Sequence, residues 1–247
     1  MTSTKRDAIR AQRTKKKRQQ RMNTLLWVGG FIVLLIVILA LPTIYAALKP
    51  AGDFVTITPV AYPLVDGMAI GNPDAPVKIE VYEDFQCPAC KGYTESIEKP
   101  LLISSYITDG QVNYTFRQYP FLDSQSITKE SQQAANASMC ALEQDRFWDY
   151  HNILFVNQGA VENGGSYNDK RLQAFAESLG LDMAAFNDCF KANKYSTEID
   201  ADYQLGRAAG IDRTPSILIN GVNNFQTYLP TYEELTAAID AALAAGG

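Results

Sequence analysis

The stretch VKIEVYEDFQCPACKGY, residues 77–93, decides the fold of this chain. Residues 77–85 alternate apolar and polar side chains and are rich in valine, isoleucine and aromatic residues, which predicts a β-strand. Cys87 and Cys90 follow at once, with a proline and an alanine between them. Because proline fits the first turn of a helix, where its missing N–H has no consequence, the stretch predicts a strand that turns directly into a helix at Cys87.

The spacing of the two cysteines suits a metal clip, an inert structural disulfide or a redox pair. A zinc site needs two further ligands at suitable spacing, and the only histidine, His151, lies in an aromatic-rich helical segment, where it is expected to pack. A helix N-terminus favours a thiolate at Cys87 and lowers its pKa, while Cys90 lies one turn further in. The pattern favours a redox pair, with Cys87 as nucleophile and Cys90 as resolving thiol, and predicts neither metal nor cofactor.

The N-terminal part of the 247-residue chain differs in composition from the rest. Residues 1–22 contain nine Lys and Arg against one Asp, whereas the remainder contains 13 basic and 26 acidic residues. Residues 23–48 are uncharged and almost wholly apolar, and at about 1.5 Å per residue they can cross a hydrocarbon core of about 30 Å. The alternative is a cleaved signal peptide, but the apolar run exceeds the usual length of about 7–15 residues. We therefore predict an uncleaved transmembrane anchor.

The basic flank of the anchor predicts its orientation in the cell membrane. Lys and Arg beside a span remain in the cytoplasm and contact anionic lipid, so we expect a cytoplasmic tail at 1–22, a lipid contact and no nucleic-acid partner. Residues 49–65 contain three prolines and are predicted to be a linker or extended arm. Residues 66–247 are then an extracytoplasmic domain of ordinary size.

After the first predicted strand, the sequence predicts a series of helices and further strands. The helix that starts after Cys87 is expected to bend at Pro100. Residues 111–120 predict a second strand, residues of about 123–209 a helical block, and the remainder two strands and a capped helix. Candidate helix N-caps and stops in the block are Asn168, Asp182, Gly180 and Gly210.

Three segments together resemble a known family. They are GNPDAPVKIEVYEDFQCPAC at 71–90, FWDYHNILFVNQ at 147–158 and GIDRTPSILING at 210–221. The combination is similar to the DsbA-like thiol-disulfide oxidoreductases, in their membrane-anchored form, from Gly71 to the C-terminus. The resemblance implies an α/β, thioredoxin-like fold with an inserted all-helical subdomain, preceded here by the single transmembrane helix.

The resemblance also implies a role for Thr214 and Pro215. A Thr-Pro pair before a late strand is expected to contain a cis proline that packs against the cysteine pair. The backbone of Thr214 would then be free to pair with an extended substrate beside Cys87. The alternative is an ordinary proline at a strand start.

The chain departs from the family pattern at two places. The dipeptide between the cysteines is Pro-Ala, without the histidine of the most oxidising members. The position six residues before Cys87, an acid in many relatives, is Val81. Glu83 and Glu80 lie nearby, and strand alternation puts Glu83 on the face of Val81 and Glu80 on the other. Either is a candidate proton acceptor for the buried thiol, or a solvated surface acid.

Two further cysteines, Cys140 and Cys189, lie on predicted helices of the block. An even number of cysteines in an oxidising compartment favours disulfides, so we predict a structural disulfide between them. A second redox relay and free buried thiols are the alternatives.

The function implied by the resemblance is protein oxidation. We expect the domain to introduce disulfides into cysteine-containing secreted proteins and to be reoxidised by a quinone-linked membrane protein. One rival is the same chemistry in a reductase or isomerase. The other is a non-catalytic, membrane-tethered binding domain.

Overall fold

The computed structural model describes residues 3–48, 50–125, 127–226 and 228–246. Contacts within the chain divide it into two units, Met1–Pro50 and Ala51–Gly247. The predicted tail, linker and domain include a few positions outside the described residues, namely 1, 2, 49, 126, 227 and 247.

The first unit contains one long helix, α1, Ser3–Leu48. Its stretch Lys15–Pro42 is long and apolar enough to cross a membrane, and no other helix among the described residues meets that test. By length and composition, this N-terminal helix is a candidate membrane anchor, in the region where the sequence predicted one.

A mixed sheet of six strands forms the centre of the second unit, as far as the structure describes it, in the order β1-β2-β4-β3-β5-β6. The central pair, β3 with β4, is parallel, and the other pairs are antiparallel. The alternation seen in the sequence is realised in β3, where Ile79 and Val81 are fully buried. The strands are β1 (Val65–Asp66), β2 (Ala69–Gly71), β3 (Val77–Glu83), β4 (Val112–Gln118), β5 (Ser216–Ile219) and β6 (Val222–Asn223).

The segment after β3 is helical but not one continuous helix. Helix α2, Pro88–Tyr93, runs into a π-helical turn, Thr94–Glu98, and then into α3, Lys99–Leu102; α4, Ser105–Thr108, follows. Pro100 explains the irregularity, because it has no N–H to donate and its ring crowds the preceding turn. The predicted bend is thus a widened turn that precedes the proline.

The helical block lies between β4 and β5, as predicted. Asn168 and Asp182 accept hydrogen bonds from backbone N–H groups at the starts of α7 and α8, and Gly180 and Gly210 adopt positive φ beyond α7 and α9. The block contains a 3₁₀ turn (Phe121–Gln125), α5 (Glu130–Leu142), α6 (Phe147–Val156), α7 (Asp169–Ser178), α8 (Met183–Lys191) and α9 (Ser196–Ala208). After β6 comes α10 (Tyr232–Ala244), which begins with a capping box. The chain has a thioredoxin-like fold with an inserted helical segment.

Residues 51–62 have no regular secondary structure but pack on the domain. The ring of Phe54 contacts that of Phe175, with centroids 5.1 Å apart. Val55 and the Asn157 side chain exchange two hydrogen bonds of 2.7 Å. We call residues 51–62 the arm; they belong to the same compact unit as the sheet.

The first two strands were not anticipated from the sequence. They contain two and three residues, which is too short for alternation to be recognised. Gly71, which ends β2, has a φ of +102°, and a Cβ there would lie 2.3 Å from the Val112 carbonyl oxygen. Only glycine therefore allows β2 to approach β4 this closely.

Candidate active site

Cys87 lies where β3 turns into α2. It is the N-cap residue of α2, with extended backbone dihedrals. Its backbone N–H donates to the carbonyl of Asp84 at 2.9 Å, which closes the turn. Cys87 is 8% exposed, whereas Cys90 is fully buried. An incoming sulfur can therefore reach Cys87 but not Cys90.

The buried side chain of Asp84 fixes this turn. Its Oδ1 accepts from the Gln86 backbone N–H at 2.8 Å and from the Ser131 hydroxyl at 2.7 Å. Its Oδ2 accepts from the Leu122 backbone N–H at 2.9 Å. Donors from three segments of the chain thus converge on one carboxyl group and hold the residues before Cys87 in place.

Two side chains of the helical block hold the same turn from another side. Gln158 Nε2 donates to the carbonyls of Phe85 at 2.7 Å and Cys87 at 2.9 Å. The Tyr167 hydroxyl donates to the Phe85 carbonyl at 2.9 Å. These contacts were not predicted from the sequence, because neither the residue type nor the spacing of Gln158 and Tyr167 distinguishes them from their neighbours.

Thr214 and Pro215 lie beside the cysteine pair. The peptide bond between them is cis, and β5 begins at the next residue. The Thr214 carbonyl oxygen lies 3.4 Å from Cys87 Sγ, within reach of the thiol S–H, although the two residues are 127 positions apart. The structure thus brings together the residues that the sequence analysis grouped.

The surroundings of Cys87 lower its pKa from 9.0 to about 6. The largest cause is the hydrogen bond with the Cys90 thiol. The Thr214 side chain and the backbone N–H groups of Cys90 and Ala89 lower the pKa further, while burial opposes them. Since the thiolate is the species that attacks and leaves in disulfide exchange, Cys87 is mostly in its reactive form at neutral pH.

We expect the Cys87 thiolate to titrate near pH 6 in the reduced, full-length protein. The measurement is the ultraviolet absorbance of the thiolate as a function of pH in a transparent detergent. Cys87→Ser should remove the transition, and Cys90→Ala should raise its midpoint, because it removes the thiol that donates to Cys87. A midpoint close to the ordinary value of 9.0 would contradict this account of the site.

Cys90 and Glu83 form the buried side of the pair. Burial raises the pKa of Cys90 well above 9.0. Glu83 is 1% exposed, and within the described part of the chain neither of its carboxyl oxygens has a regular hydrogen-bond partner. Burial, and then the charge of Glu98, raise the pKa of Glu83 well above 4.5. Glu83 is therefore a buried carboxyl group whose protonated form is favoured, beside a thiol that must gain or lose a proton.

Glu98 and His151 adjoin Glu83, and both are fully buried. One polar atom from each of the three residues lies within 4.8 Å of the others. The Tyr114 hydroxyl donates to Glu98 Oε1 at 2.7 Å, and His151 Nε2 lies 3.3 Å from Glu98 Oε2. Burial raises the pKa of Glu98 to about 7 and lowers that of His151 to about 3. Carboxylate oxygens and an imidazole nitrogen are also ligands of divalent metals. The expectation from the sequence that the protein has no metal site therefore remains a prediction.

Glu80, the other candidate acid, is not placed at the cysteines. Its carboxylate accepts from Arg117 Nε at 2.8 Å and forms an ion pair with that guanidinium group. Arg117 also contacts Asp202 at 3.2 Å. Glu80 and Glu83 thus occupy opposite faces of β3, as strand alternation requires, and only Glu83 adjoins Cys90.

Cys140 and Cys189 are joined by a disulfide that links α5 to α8, with an S–S distance of 1.99 Å. Both residues are buried. The bond lies within the helical block and closes a sequence separation of 49 residues. Cys87 and Cys90 are unpaired thiols in the same structure.

Glu98 was not predicted from the sequence. Cys90, Thr94 and Glu98 follow one another at intervals of four residues, which places them on one side of a helical segment, and all three are buried. Polar residues at this interval after the cysteine pair were the available signal. His151 has its expected packing among the rings of Phe85, Phe116, Phe147, Trp148 and Phe155. Its contact with Glu98 depends on tertiary structure.

Known proteins match most of the chain. A family model described as Thioredoxin matches residues 64–241. The fold, the cysteine pair and this match show that the chain belongs to the thioredoxin family. Within that family its relatives are DsbA-like thiol-disulfide oxidoreductases, as the sequence analysis predicted.

Three relatives illustrate the match. Oxidised BdbD from Bacillus subtilis superposes with a TM-score of 0.61 at 26% identity, over 78% of this chain and all of that one. The probable disulfide bond formation protein D of Bacillus cereus is 27% identical over 70% of this chain and 76% of that protein. The Na(+)/H(+) antiporter NhaA 3 of Salinispora tropica is 30% identical over 70% of this chain but 24% of the antiporter. The chain thus spans about a quarter of that antiporter.

Proposed function

We propose that this protein is a membrane-anchored, extracytoplasmic oxidoreductase that introduces disulfides into secreted proteins. The observation that carries the proposal is the asymmetry of the cysteine pair. Cys87 is accessible and its pKa is lowered to about 6, whereas Cys90 is fully buried and its pKa is raised. A disulfide between them is open to attack at one sulfur, and its reduction yields a stabilised Cys87 thiolate.

The proposed reaction has two exchange steps. A substrate thiolate attacks Cys87 Sγ, the bond between Cys87 and Cys90 breaks, and its electron pair leaves on Cys90. The substrate's second thiolate then attacks the substrate sulfur of this mixed disulfide and Cys87 leaves as a thiolate. The substrate gains a disulfide and loses two electrons, which the enzyme retains in its reduced cysteine pair.

Glu83 supplies the proton that the first step requires. A thiolate at Cys90 would be a buried charge, which is unfavourable in an apolar site. Glu83, with its raised pKa, donates its proton to Cys90 as that sulfur leaves, and accepts it again when the pair is reoxidised. This exchange is general acid–base catalysis by a buried carboxyl group.

Thr214 and Pro215 form the wall against which a substrate is bound. The Thr214 carbonyl lies beside Cys87 Sγ and offers an acceptor to an extended peptide backbone. Hydrogen bonds to main-chain atoms do not depend on the substrate's side chains. The site is thus suited to unfolded secreted chains of differing sequence.

The N-terminal helix places this chemistry at the membrane. The basic tail remains in the cytoplasm, in contact with lipid headgroups, and the domain faces outward. A quinone-linked membrane protein reoxidises the pair, and the anchor raises the effective concentration of the domain at that partner. Relatives of the chain include proteins named for disulfide bond formation, which supports this assignment.

The reduction potential of the Cys87–Cys90 pair tests the direction of electron flow. A Cys87 pKa of about 6 stabilises the reduced form at pH 7 by about 1.4 kcal/mol relative to an unperturbed thiol, or about 30 mV. We expect a potential above the about −270 mV of thioredoxin and toward the about −120 mV of DsbA. The full-length protein is equilibrated with glutathione buffers and its free thiols are alkylated, with Cys87→Ser/Cys90→Ser as the baseline.

Other results of this measurement would indicate a different function for the protein. A potential near about −270 mV favours a reductase or isomerase with an electron-supplying membrane partner. The absence of any reversible transition leaves a non-catalytic tethered binding domain.

A further inference from the structure

Glu98 has no part in the exchange steps proposed above, yet it is fully buried directly behind them. It ends the π-helical turn that follows α2. Its carboxyl group faces two partners, the hydroxyl of Tyr114 and the ring of His151. A second buried carboxyl beside Glu83 is electrostatically unfavourable if both are ionised, so its presence requires an explanation.

His151 faces Glu98 with the lone pair of its imidazole. Asn152 Nδ2 donates to the hydroxyl oxygen of Tyr62 at 3.3 Å, which turns Asn152 Oδ1 toward His151 Nδ1, also at 3.3 Å. An amide oxygen is only an acceptor, so Nδ1 carries the imidazole hydrogen. His151 Nε2 is therefore an acceptor.

A proton belongs between Glu98 Oε2 and His151 Nε2, which are 3.3 Å apart. Two acceptors at this distance repel unless one of them carries a hydrogen. The Tyr114 hydroxyl donates to Oε1, so the hydrogen of Glu98 is on Oε2. The raised pKa of Glu98 and the lowered pKa of His151 agree that the carboxyl group, and not the imidazole, holds the proton.

Few charged groups lie near the cluster formed by Glu83, Glu98 and His151. In the described part of the chain, Lys99 is the cation that acts on Glu98 and His151, and it is partly exposed. A second negative charge beside Glu83 would therefore lack a buried counterion. The titratable groups that face the cluster are Cys87 at the N-cap of α2, Cys90 and Tyr93 from α2, Lys99 from α3, Tyr114 from β4 and Tyr62 from the arm.

We propose that His151 keeps Glu98 as a neutral carboxylic acid, so that Glu83 is the one carboxyl group that exchanges a proton with Cys90. The inference rests on the proposed function and makes Glu98 and His151 positioning residues that act through Glu83. When Cys90 leaves the disulfide, the bonding electron pair moves to its sulfur and the proton of Glu83 follows, which leaves one negative charge on Glu83. An ionised Glu98 would add a second charge there and slow this step.

Infrared spectroscopy of the full-length protein in detergent tests the protonation of Glu98 directly. At about pH 6, below the Glu98 pKa of about 7 and above the ordinary range of a carboxyl group, the difference spectrum between wild type and Glu98→Gln should contain the C=O stretch of a protonated carboxylic acid. The matched control is Glu80→Gln, which removes a carboxylate ion-paired with Arg117 and should show no such band. A Glu98→Gln spectrum that lacks only an ionised carboxylate overturns the proposal, and this readout does not depend on disulfide chemistry.

The kinetic test separates positioning from packing. His151→Phe keeps an aromatic ring but removes the acceptor, so Glu98 ionises at a lower pH. We expect the oxidised variant to react with dithiothreitol about tenfold more slowly above neutral pH, as a pKa change of about one unit implies. Adding Glu98→Gln removes the new charge, and His151→Phe/Glu98→Gln should regain most of the rate.

Other outcomes overturn the inference in recognisable ways. A deficit that persists in the double variant assigns His151 to packing alone. A stoichiometric divalent metal in the purified protein, lost on Glu98→Gln, assigns the cluster to a cation in place of a shared proton. If His151→Phe does not fold, the infrared result decides alone. An oxidised wild-type pair that does not react with dithiothreitol defeats the proposed function and leaves the protonation of Glu98 as a separate result.

Discussion

Replacing Cys87 with serine will abolish oxidation of a reduced substrate by this protein. A hydroxyl oxygen cannot form the disulfide that the substrate attacks, and Cys90 is fully buried, so no other sulfur of the pair is accessible. The rate should fall to that of the uncatalysed reaction, a loss on the scale of the about 10⁶-fold or larger accelerations typical of enzymes. The assay is the oxidation of a reduced dithiol protein by the full-length oxidised enzyme.

Replacing Cys90 with serine should give a different phenotype. Cys87 then remains a thiolate that can attack a disulfide of another protein, which forms a mixed disulfide at Cys87 and releases the other sulfur of that disulfide as a thiolate. Because the enzyme has no resolving thiol, this adduct persists. Adducts should appear on non-reducing gels of cells that express Cys90→Ser and should be absent with Cys87→Ser/Cys90→Ser.

The two single variants are matched controls for each other. They differ in the position of one sulfur atom, and both should keep the thermal unfolding midpoint of the reduced wild type. If Cys87→Ser, and not Cys90→Ser, accumulates adducts, the roles of the two cysteines are reversed. If neither does so and substrate oxidation persists in both, the pair is not the reactive group.

Local signals explain how much of the fold could be predicted. The alternation in β3, the proline at the start of α2 and the caps at Asn168 and Asp182 each depend on residues within about one helical turn of one another. The sequence therefore contains their whole physical cause. The order of strands and helices follows from such signals and agrees with the structure.

The missed elements lack a local cause. Strands β1 and β2 contain two and three residues and exist because β4 presents free backbone groups to β2, and β2 to β1. The π-helical turn before Pro100 depends on how the chain accommodates that proline. No pattern of a few residues distinguishes these outcomes from a loop or a regular helix.

The candidate site likewise contains some residues that local sequence signals identify and others that they do not. Cys87 and Cys90 are readable from their spacing, and the face of Glu83 follows from its position in β3. Thr214 and Pro215 required the family resemblance. Which residues meet behind Glu83 is a matter of tertiary packing, because Glu98 and His151 come from segments that local rules do not bring together.

Breaking the disulfide between Cys140 and Cys189 should lower the free energy of unfolding by about 4 kcal/mol. The bond closes a separation of 49 residues, and in the loop-entropy model a cross-link of that span reduces the entropy of the unfolded chain by this amount. The loss is a large fraction of the about 5–15 kcal/mol that stabilises a typical domain. The measurement is urea unfolding of the full-length protein in detergent, followed by the fluorescence of buried Trp148.

The background for this experiment is Cys87→Ser/Cys90→Ser, which leaves one disulfide in the chain. Comparing its oxidised and reduced forms changes only the S–S bond, and adding Cys140→Ala/Cys189→Ala gives an independent second value that includes the small cavity left by two sulfurs. A structural disulfide should also resist the glutathione pool, with a potential below about −300 mV. Ready reduction by glutathione, with less than about 1 kcal/mol lost on reduction, would indicate instead a second exchangeable pair. In that case electrons pass through α5 and α8 as well as through Cys87, and the helical block takes part in the redox chemistry.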